Sequence, residues 1–164
     1  MSVYTGTGDT GETFTFDEQR LSKNDPIIHF IGACDELNSH LGLVKAMFSG
    51  EDTRQFFIEA IQKKLMKLMS HACDTANEKY FFTEDEVSVL EKEIDKLSQK
   101  LAKHDFVLPG RNVTEAQIHI ARTVARRAER LFFAANEKRQ LCPKAGAYLN
   151  RLSGYLFVLS QQEF

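Results

Sequence analysis

Several kinds of residue are scarce in this chain. Only three prolines and nine glycines occur in 164 residues, too few for a collagen-like or low-complexity chain. No apolar run approaches the roughly 20 residues a membrane-spanning helix needs. The amino end MSVYTGTGDT has neither a basic start nor a hydrophobic stretch of signal-peptide length. These absences predict a protein that stays in the cytoplasm, clear of the membrane. Cys34, Cys73 and Cys142 are odd in number and widely spaced, with no CxxC and no nearby histidine pair, which excludes a disulfide framework and a zinc site and predicts reduced thiols. A net charge of −2 argues against general nucleic-acid binding, because neutralising phosphates takes a basic surface.

What is present is an ordinary globular composition, 43% hydrophobic and 27% charged, in a length that suits one domain over residues 1–164. Its apolar residues recur at steps of three and four, as one face of a helix requires. Over residues 27–48 they are Phe30, Cys34, Leu37, Leu41, Val44 and Phe48, with Pro26 suited to the first turn. Phe57, Ile61, Leu65, Leu68 and Ala72 form a second run, and Val87, Leu90, Ile94, Leu97 and Leu101 a third. The third opens on Thr83 and Glu86, a capping-box pattern. After the Pro109-Gly110 break, with Asn112 or Thr114 as the cap, Ala121, Val124, Ala128, Leu131 and Ala135 form a fourth face. Beyond Cys142-Pro143, Leu149, Leu152, Leu156 and Leu159 define a fifth. The predicted fold is an all-α, five-helix bundle over residues 26–164, behind a short irregular glycine-rich head over residues 1–25.

Three places carry more chemistry than a bundle needs. Gly6-Thr7-Gly8-Asp9-Thr10-Gly11 satisfies GxGxxG, but only four residues follow Met1 before it and Thr13-Phe14-Thr15-Phe16 after it alternates like a strand, which excludes a Rossmann turn. A flexible turn with free amides can still wrap phosphate oxygens, with Arg20 and Lys23 nearby; a terminal hairpin without a ligand is the plain alternative. On the fourth helix, about 100° of rotation per residue puts His119, Arg122, Arg126 and Glu129 within a sector of about 80°. Two arginines one turn apart with a carboxylate beyond can hold a polyphosphate and its metal; a solvated stripe is the alternative. Between Arg122 and Arg151, eight Lys or Arg face two Glu, a local +6 that leaves −8 elsewhere, so a small anion could bind there. On the first helix, Asp35, Glu36 and Asn38 flank the apolar stripe; an acid so near it needs a partner, which Arg122 or Arg126 could provide, and a solvated surface acid is the alternative. His29, His40, His71 and His104 share no metal-ligand spacing and receive no role.

Taken together, YTGTGDTGET, RLSKNDP, IGACDELNSHLGL, FVLPG, ARTVARRAER and YLNRLSGYLF resemble, in order and from Tyr4 to about Leu159, the PduO-type ATP:cob(I)alamin adenosyltransferases. The resemblance implies a homotrimer with active sites between subunits. It implies that Thr5, Gly6, Thr7, Gly8, Asp9 and Gly11 wrap the triphosphate of ATP, helped by Arg20 and Lys23. Arg126, Glu129 and Asn150 match positions that bind ATP and its Mg²⁺, with Glu129 nearest the metal. Arg122 matches one that pairs across the interface with the acid corresponding to Asp35. Phe106 matches the aromatic that closes the lower face of the corrin ring and displaces its axial base.

The implied reaction moves the 5′-deoxyadenosyl group of ATP onto reduced cob(I)alamin and releases triphosphate. Cobalt is the nucleophile, so no catalytic Ser, Cys or His is required, and Asp35, Arg122, Arg126 and Phe106 act by positioning and charge. A flavin reductase or similar donor would reduce the cobalt. The chain departs from the family pattern at Gly6 and Thr10, where lysines are common, at Gly154, where aspartate is usual, and at Arg111, where a second glycine is usual. Arg111 is a candidate replacement for the lost charge. The departures leave a second reading open, a non-catalytic corrinoid- or nucleotide-binding carrier or regulator.

Overall fold

Helix starts in this chain are set by identifiable caps. Asp25 Oδ1 accepts the Ile27 N–H at 2.8 Å and Pro26 occupies the first turn, opening α1, Pro26–Met47. An N-cap of this kind contributes about 0.5–2 kcal/mol. Helix α2 spans Arg54–Cys73 and is followed by a single 3-10 turn, Glu78–Tyr80. The expected capping box opens α3, Glu84–Ser98, where Glu86 Oε2 accepts the Thr83 N–H at 2.8 Å. Its other oxygen accepts Lys64 at 2.5 Å and Lys67 at 2.7 Å, tying α3 to α2. Asn112, rather than Thr114, caps α4, Val113–Asn136, accepting the Glu115 N–H at 2.9 Å. Pro143 begins α5, Pro143–Ser160. The computed structural model describes residues 6–48, 50–99, 101 and 107–164.

Two expected boundaries shift. Phe48 is the extended cap of α1 rather than its last turn, and α3 ends at Ser98, so Leu101 packs on the core from outside the helix. The head is also less irregular than expected. Strands β1, Glu12–Phe14, and β2, Arg20–Ser22, pair antiparallel with Thr13 opposite Leu21. The fold is an all-α bundle of five helices among the described residues, carrying that hairpin.

Helix α1 packs on α2 and α4, and α5 packs on α4 and α3. All five helices feed one cluster of buried apolar side chains, and a fully buried Leu or Phe contributes on the order of 1.5–3 kcal/mol. Small residues set the spacing between α4 and α5. Ala121, Ala125, Ala128 and Ala135 are fully buried, and a Cβ on Gly146 would meet the Phe132 ring at 2.7 Å. This packing turns the opposite face of α4 outward. No helix among the described residues is long and apolar enough to cross a membrane.

Candidate active site

The head forms a turn built for close approach. Asp9 N–H donates to Gly6 O and Gly11 N–H to Gly8 O, both at 3.3 Å. Gly6 and Gly11 have φ of +71° and +86°, a region that costs an L-residue roughly 1–2 kcal/mol. Lys23 is drawn onto the turn: its N–H donates to Gly11 O at 2.8 Å, and its Nζ lies 3.1 Å from where Gly8 would carry a Cβ. Thr7 and Asp9 are exposed beside it. Arg20, expected at the phosphates, pairs with Glu12 across the hairpin instead and lies 6.0 Å from the Phe14 ring. Exposed pairs are worth about 0–1 kcal/mol, so an anion can draw Arg20 away. Thr5 lies outside the described residues.

On α4 the stripe is open from Arg126 onward. Arg126 is exposed, Glu129 half-buried, and Glu129 Oε1 accepts Asn150 Nδ2 from α5 at 2.8 Å. Asn150 Oδ1 in turn accepts Arg151 Nη1 at 2.5 Å, and Arg151 Nε donates to Glu91 at 2.8 Å. The carboxylate and amide expected to act together thus meet where α4 and α5 run side by side, joined by Arg151, while Arg126 stands exposed one turn before Glu129 with no hydrogen bond to either. Arg122 is half-buried, and desolvation followed by the nearby Arg126 charge lowers its pKa. Arginine nonetheless remains a cation, so two positive charges one turn apart are left wanting an anion.

Elsewhere half of the basic stretch is already spent. Among its eight cations, Arg127 pairs with Glu36, Lys144 with Glu84 and Arg151 with Glu91. Arg139 donates to Ala72 O at 3.1 Å and Cys73 O at 2.6 Å, closing the end of α2. The local +6 therefore overstates what a ligand meets: Arg122 and Arg126 on the stripe, with Arg130 and Lys138 exposed further along and in no ion pair among the described residues. Arg111 is likewise not a substitute for the missing lysines. Its Nη2 donates to Ser160 O at 3.0 Å, the last carbonyl of α5, and to Gln162 O at 2.9 Å just beyond the helix. Position 154 packs rather than binds: a Cβ on Gly154 would meet Ile94 at an ordinary 3.6 Å.

The acids of α1 divide. Glu36 finds Arg127 within the chain, not Arg122 or Arg126, while Asp35 is exposed and makes no ion pair among the described residues. Phe106 lies outside the described residues; after it, Val107 and Leu108 are exposed, the latter at 90%. Cys34, Cys73 and Cys142 are free thiols. Burial pushes the Cys34 and Cys73 thiols up, so neither supplies a thiolate.

His119 departs from a solvated stripe, being only 4% exposed. Arg122 Nε donates to its Nδ1 at 3.2 Å, and Glu115 Oε1, itself buried, lies 3.1 Å from its Nε2. Burial, ahead of the opposing Glu115 charge, lowers the His119 pKa and keeps the ring neutral. Glu115 escaped sequence reasoning although the signal was present: it stands four residues before His119, in the same helical sector. Phe133, 56% exposed, extends that sector at the other end four residues after Glu129. Among the described residues no three His, Cys, Asp or Glu gather as a metal cluster.

A family model described as cobalamin adenosyltransferase matches residues 3–163. The chain is 36% identical over 166 residues to a corrinoid adenosyltransferase of Citrobacter freundii, covering 98% of this chain and 94% of that protein. It is 35% identical over 168 residues to the corrinoid adenosyltransferase PduO of Salmonella typhimurium, where it spans 99% of its own length but half of the relative's, 50%. A solved variant of the PduO-type ATP:corrinoid adenosyltransferase from Lactobacillus reuteri, complexed with cobalamin and ATP, has a TM-score of 0.88 at 31% identity, covering 98% of this chain and 92% of that one. A second variant of that protein, complexed with ATP, gives 0.87 at 31% identity. With a family match across nearly all of the sequence and the fold to accompany it, the chain belongs to the cobalamin adenosyltransferase family.

Proposed function

We propose that this protein transfers the 5′-deoxyadenosyl group of ATP to reduced cob(I)alamin, as a cytoplasmic homotrimer whose sites lie between subunits. The C5′–O bond of ATP breaks, a cobalt–carbon bond forms with the electron pair of Co(I), and inorganic triphosphate leaves. The observation that carries this reading is the open group on α4 and α5: Arg126 exposed beside a Glu129–Asn150 pair at 2.8 Å, next to an arginine with no acid partner among the described residues. Such a group neutralises a polyphosphate and supplies no nucleophile, as a reaction whose nucleophile is the second substrate requires.

The two halves of the ATP site belong to different faces of one chain. The hairpin's Phe14 and Phe16 line a cavity of about 480 Å³ with Ile28 and Ile31 of α1 and Met66 and Met69 of α2, whereas the arginine group bridges α4 and α5. A second copy brings a head to that group, and its Asp35 to Arg122. Mg²⁺ takes oxygen ligands, usually one or two carboxylates beside phosphate oxygens. Glu129 fits, since one of its oxygens is held by Asn150 and the other has no partner among the described residues. When bound, the metal offsets charge on the departing triphosphate. Val107 and Leu108, next in sequence after Phe106, are exposed and apolar, and Phe106 itself would cover the corrin face. Reduction of the cobalt falls to a separate flavin reductase or similar donor.

The named relatives are adenosyltransferases, which favours catalysis over a carrier or regulator. Anaerobic incubation with ATP and chemically reduced cobalamin should yield adenosylcobalamin and one triphosphate per adenosyl group. Tight binding of ATP or cobalamin with neither product formed would establish the carrier instead.

A further inference from the structure

We propose that Glu115 and His119 are positioning residues for Arg122, a buried carboxylate fixing the imidazole tautomer whose bare Nδ1 holds the Arg122 Nε–H and aims the rest of the guanidinium outward. The inference rests on the reading of Arg122 as part of the ATP site.

Hydrogen-bond polarity runs one way through the three side chains. Glu115 Oε2 accepts the N–H groups of Gly110 at 2.8 Å and Arg111 at 3.1 Å, while Oε1 lies 3.1 Å from His119 Nε2. A carboxylate only accepts, so the ring proton belongs on Nε2; a neutral imidazole has one such proton, which leaves Nδ1 as the acceptor Arg122 Nε needs. That contact is 3.2 Å. Glu115 Oε1 and His119 Nε2 are both shut off from solvent and have no hydrogen-bond partner elsewhere among the described residues; they lie 3.1 Å apart, in contact but short of the alignment of a full hydrogen bond. A buried carboxylate left unpaired would be strongly destabilising, so the pair holds its geometry.

The arrangement exceeds what folding asks of it. Asn112 already caps α4, at 2.9 Å from the Glu115 N–H, and a network of purely structural use would end in satisfied groups. This one ends at Arg122, whose Nη groups have no acceptor among the described residues and stand beside a second cation. Holding Nε leaves the two Nη groups as a fork without an acceptor among the described residues, the pair of donors that oxyanions accept.

Glu115→Gln is the decisive substitution. Its carbonyl can keep the Gly110 and Arg111 bonds, but its amide then donates to His119 Nε2, drives the ring proton to Nδ1 and sets it against the Arg122 Nε–H. Nitrogen-15 spectra of labelled histidine should find the His119 proton on Nε2 in the natural protein and on Nδ1 in the variant. With pre-reduced cobalamin, kcat/KM for ATP should fall roughly tenfold or more, as expected when a positioned group is misaimed, yet change by less than about twofold when Arg122 is already alanine. A natural His119 protonated on Nδ1, an unimpaired Glu115→Gln protein, or an equal loss with and without Arg122 would each overturn the inference. Should Glu115→Gln fail to fold, His119→Asn, which places an oxygen near the position of Nδ1, should recover ATP use that His119→Leu loses; equal loss in both overturns it. If the natural protein binds ATP but transfers no adenosyl group, the proposed function fails, and calorimetric ATP affinity in the same variants decides the positioning role separately.

Discussion

One stripe of α4 treats charge in opposite ways at its two ends. Glu115 and His119, 1% and 4% exposed, are closed on each other under the Gly110–Arg111 turn and the end of α5. Arg126 is exposed, with half-buried Glu129 and exposed Asn150 beside it, two to three turns further along the same face. The helix is the same; the neighbours differ. Buried ionisable groups keep their geometry because breaking a pair strands a charge. Exposed ones are screened and weakly held, and therefore available to a ligand.

The sharpest way to separate the two ends is Arg126→Ala. We expect kcat/KM for ATP to fall roughly 10–100-fold, since a hydrogen bond to a charged group contributes about 1.5–3 kcal/mol. The thermal midpoint should move by less than about 2 °C, as for other surface changes in a chain of this size. A large drop in the midpoint would mean that the open end is structural after all. Glu129→Gln preserves the partnership with Asn150 but removes the carboxylate charge, so the KM for ATP should rise about three- to tenfold and most steeply when Mg²⁺ is limiting. Indifference to Mg²⁺ would separate Glu129 from the metal.

The buried histidines, His119 at the closed end and His71 on α2, should respond to acid. Burial, the foremost cause in each case, lowers the pKa of His71 and of His119 from the ordinary 6.5. The folded state thus resists protonation more than the unfolded chain does. The associated stability is fully present above about 6.5 and is lost as pH falls through the folded values. Melting curves between about pH 7 and pH 5 should show the midpoint falling. His71 Nε2 accepts the Cys142 N–H at 2.8 Å, so His71→Gln, which retains an acceptor, should flatten part of the slope. An unchanged slope in that variant would locate the effect elsewhere. The smallest expected effect belongs to the head: Thr10→Lys should tighten ATP binding about two- to fivefold at low salt and less at high salt. Gly6→Lys should not match it, because φ at that position is +71° and a side chain is strained there. Equal gains at the two positions would contradict the turn geometry.

Periodicity made the bundle legible because each helix buries one stripe, and the capping residues Asp25, Thr83 and Asn112 do local work that needs no knowledge of neighbours. The meeting of Glu129 with Asn150 came from the resemblance rather than from spacing, since it depends on how α4 and α5 pack. Burial of His119 was not legible at all. On the wheel it shares a sector with exposed arginines, and only the turn folded over Glu115 takes it out of water. Arg111 misled for the same reason: its charge is visible in the sequence, but the Ser160 and Gln162 carbonyls it satisfies lie some fifty residues away.

The claim that one copy's head meets another's arginine group is tested most directly by mixing two crippled chains. One carries Arg126→Ala with a natural head; the other carries Asp9→Ala and Lys23→Ala with a natural stripe. If sites form between subunits, co-assembled mixtures should regain adenosyl transfer from ATP to reduced cobalamin to about a quarter of the natural rate, the share of interfaces in which both halves are intact in a closed ring assembled at random. Activity no greater than that of the two parents alone, in mixtures proven to contain both chains, would contradict a shared site.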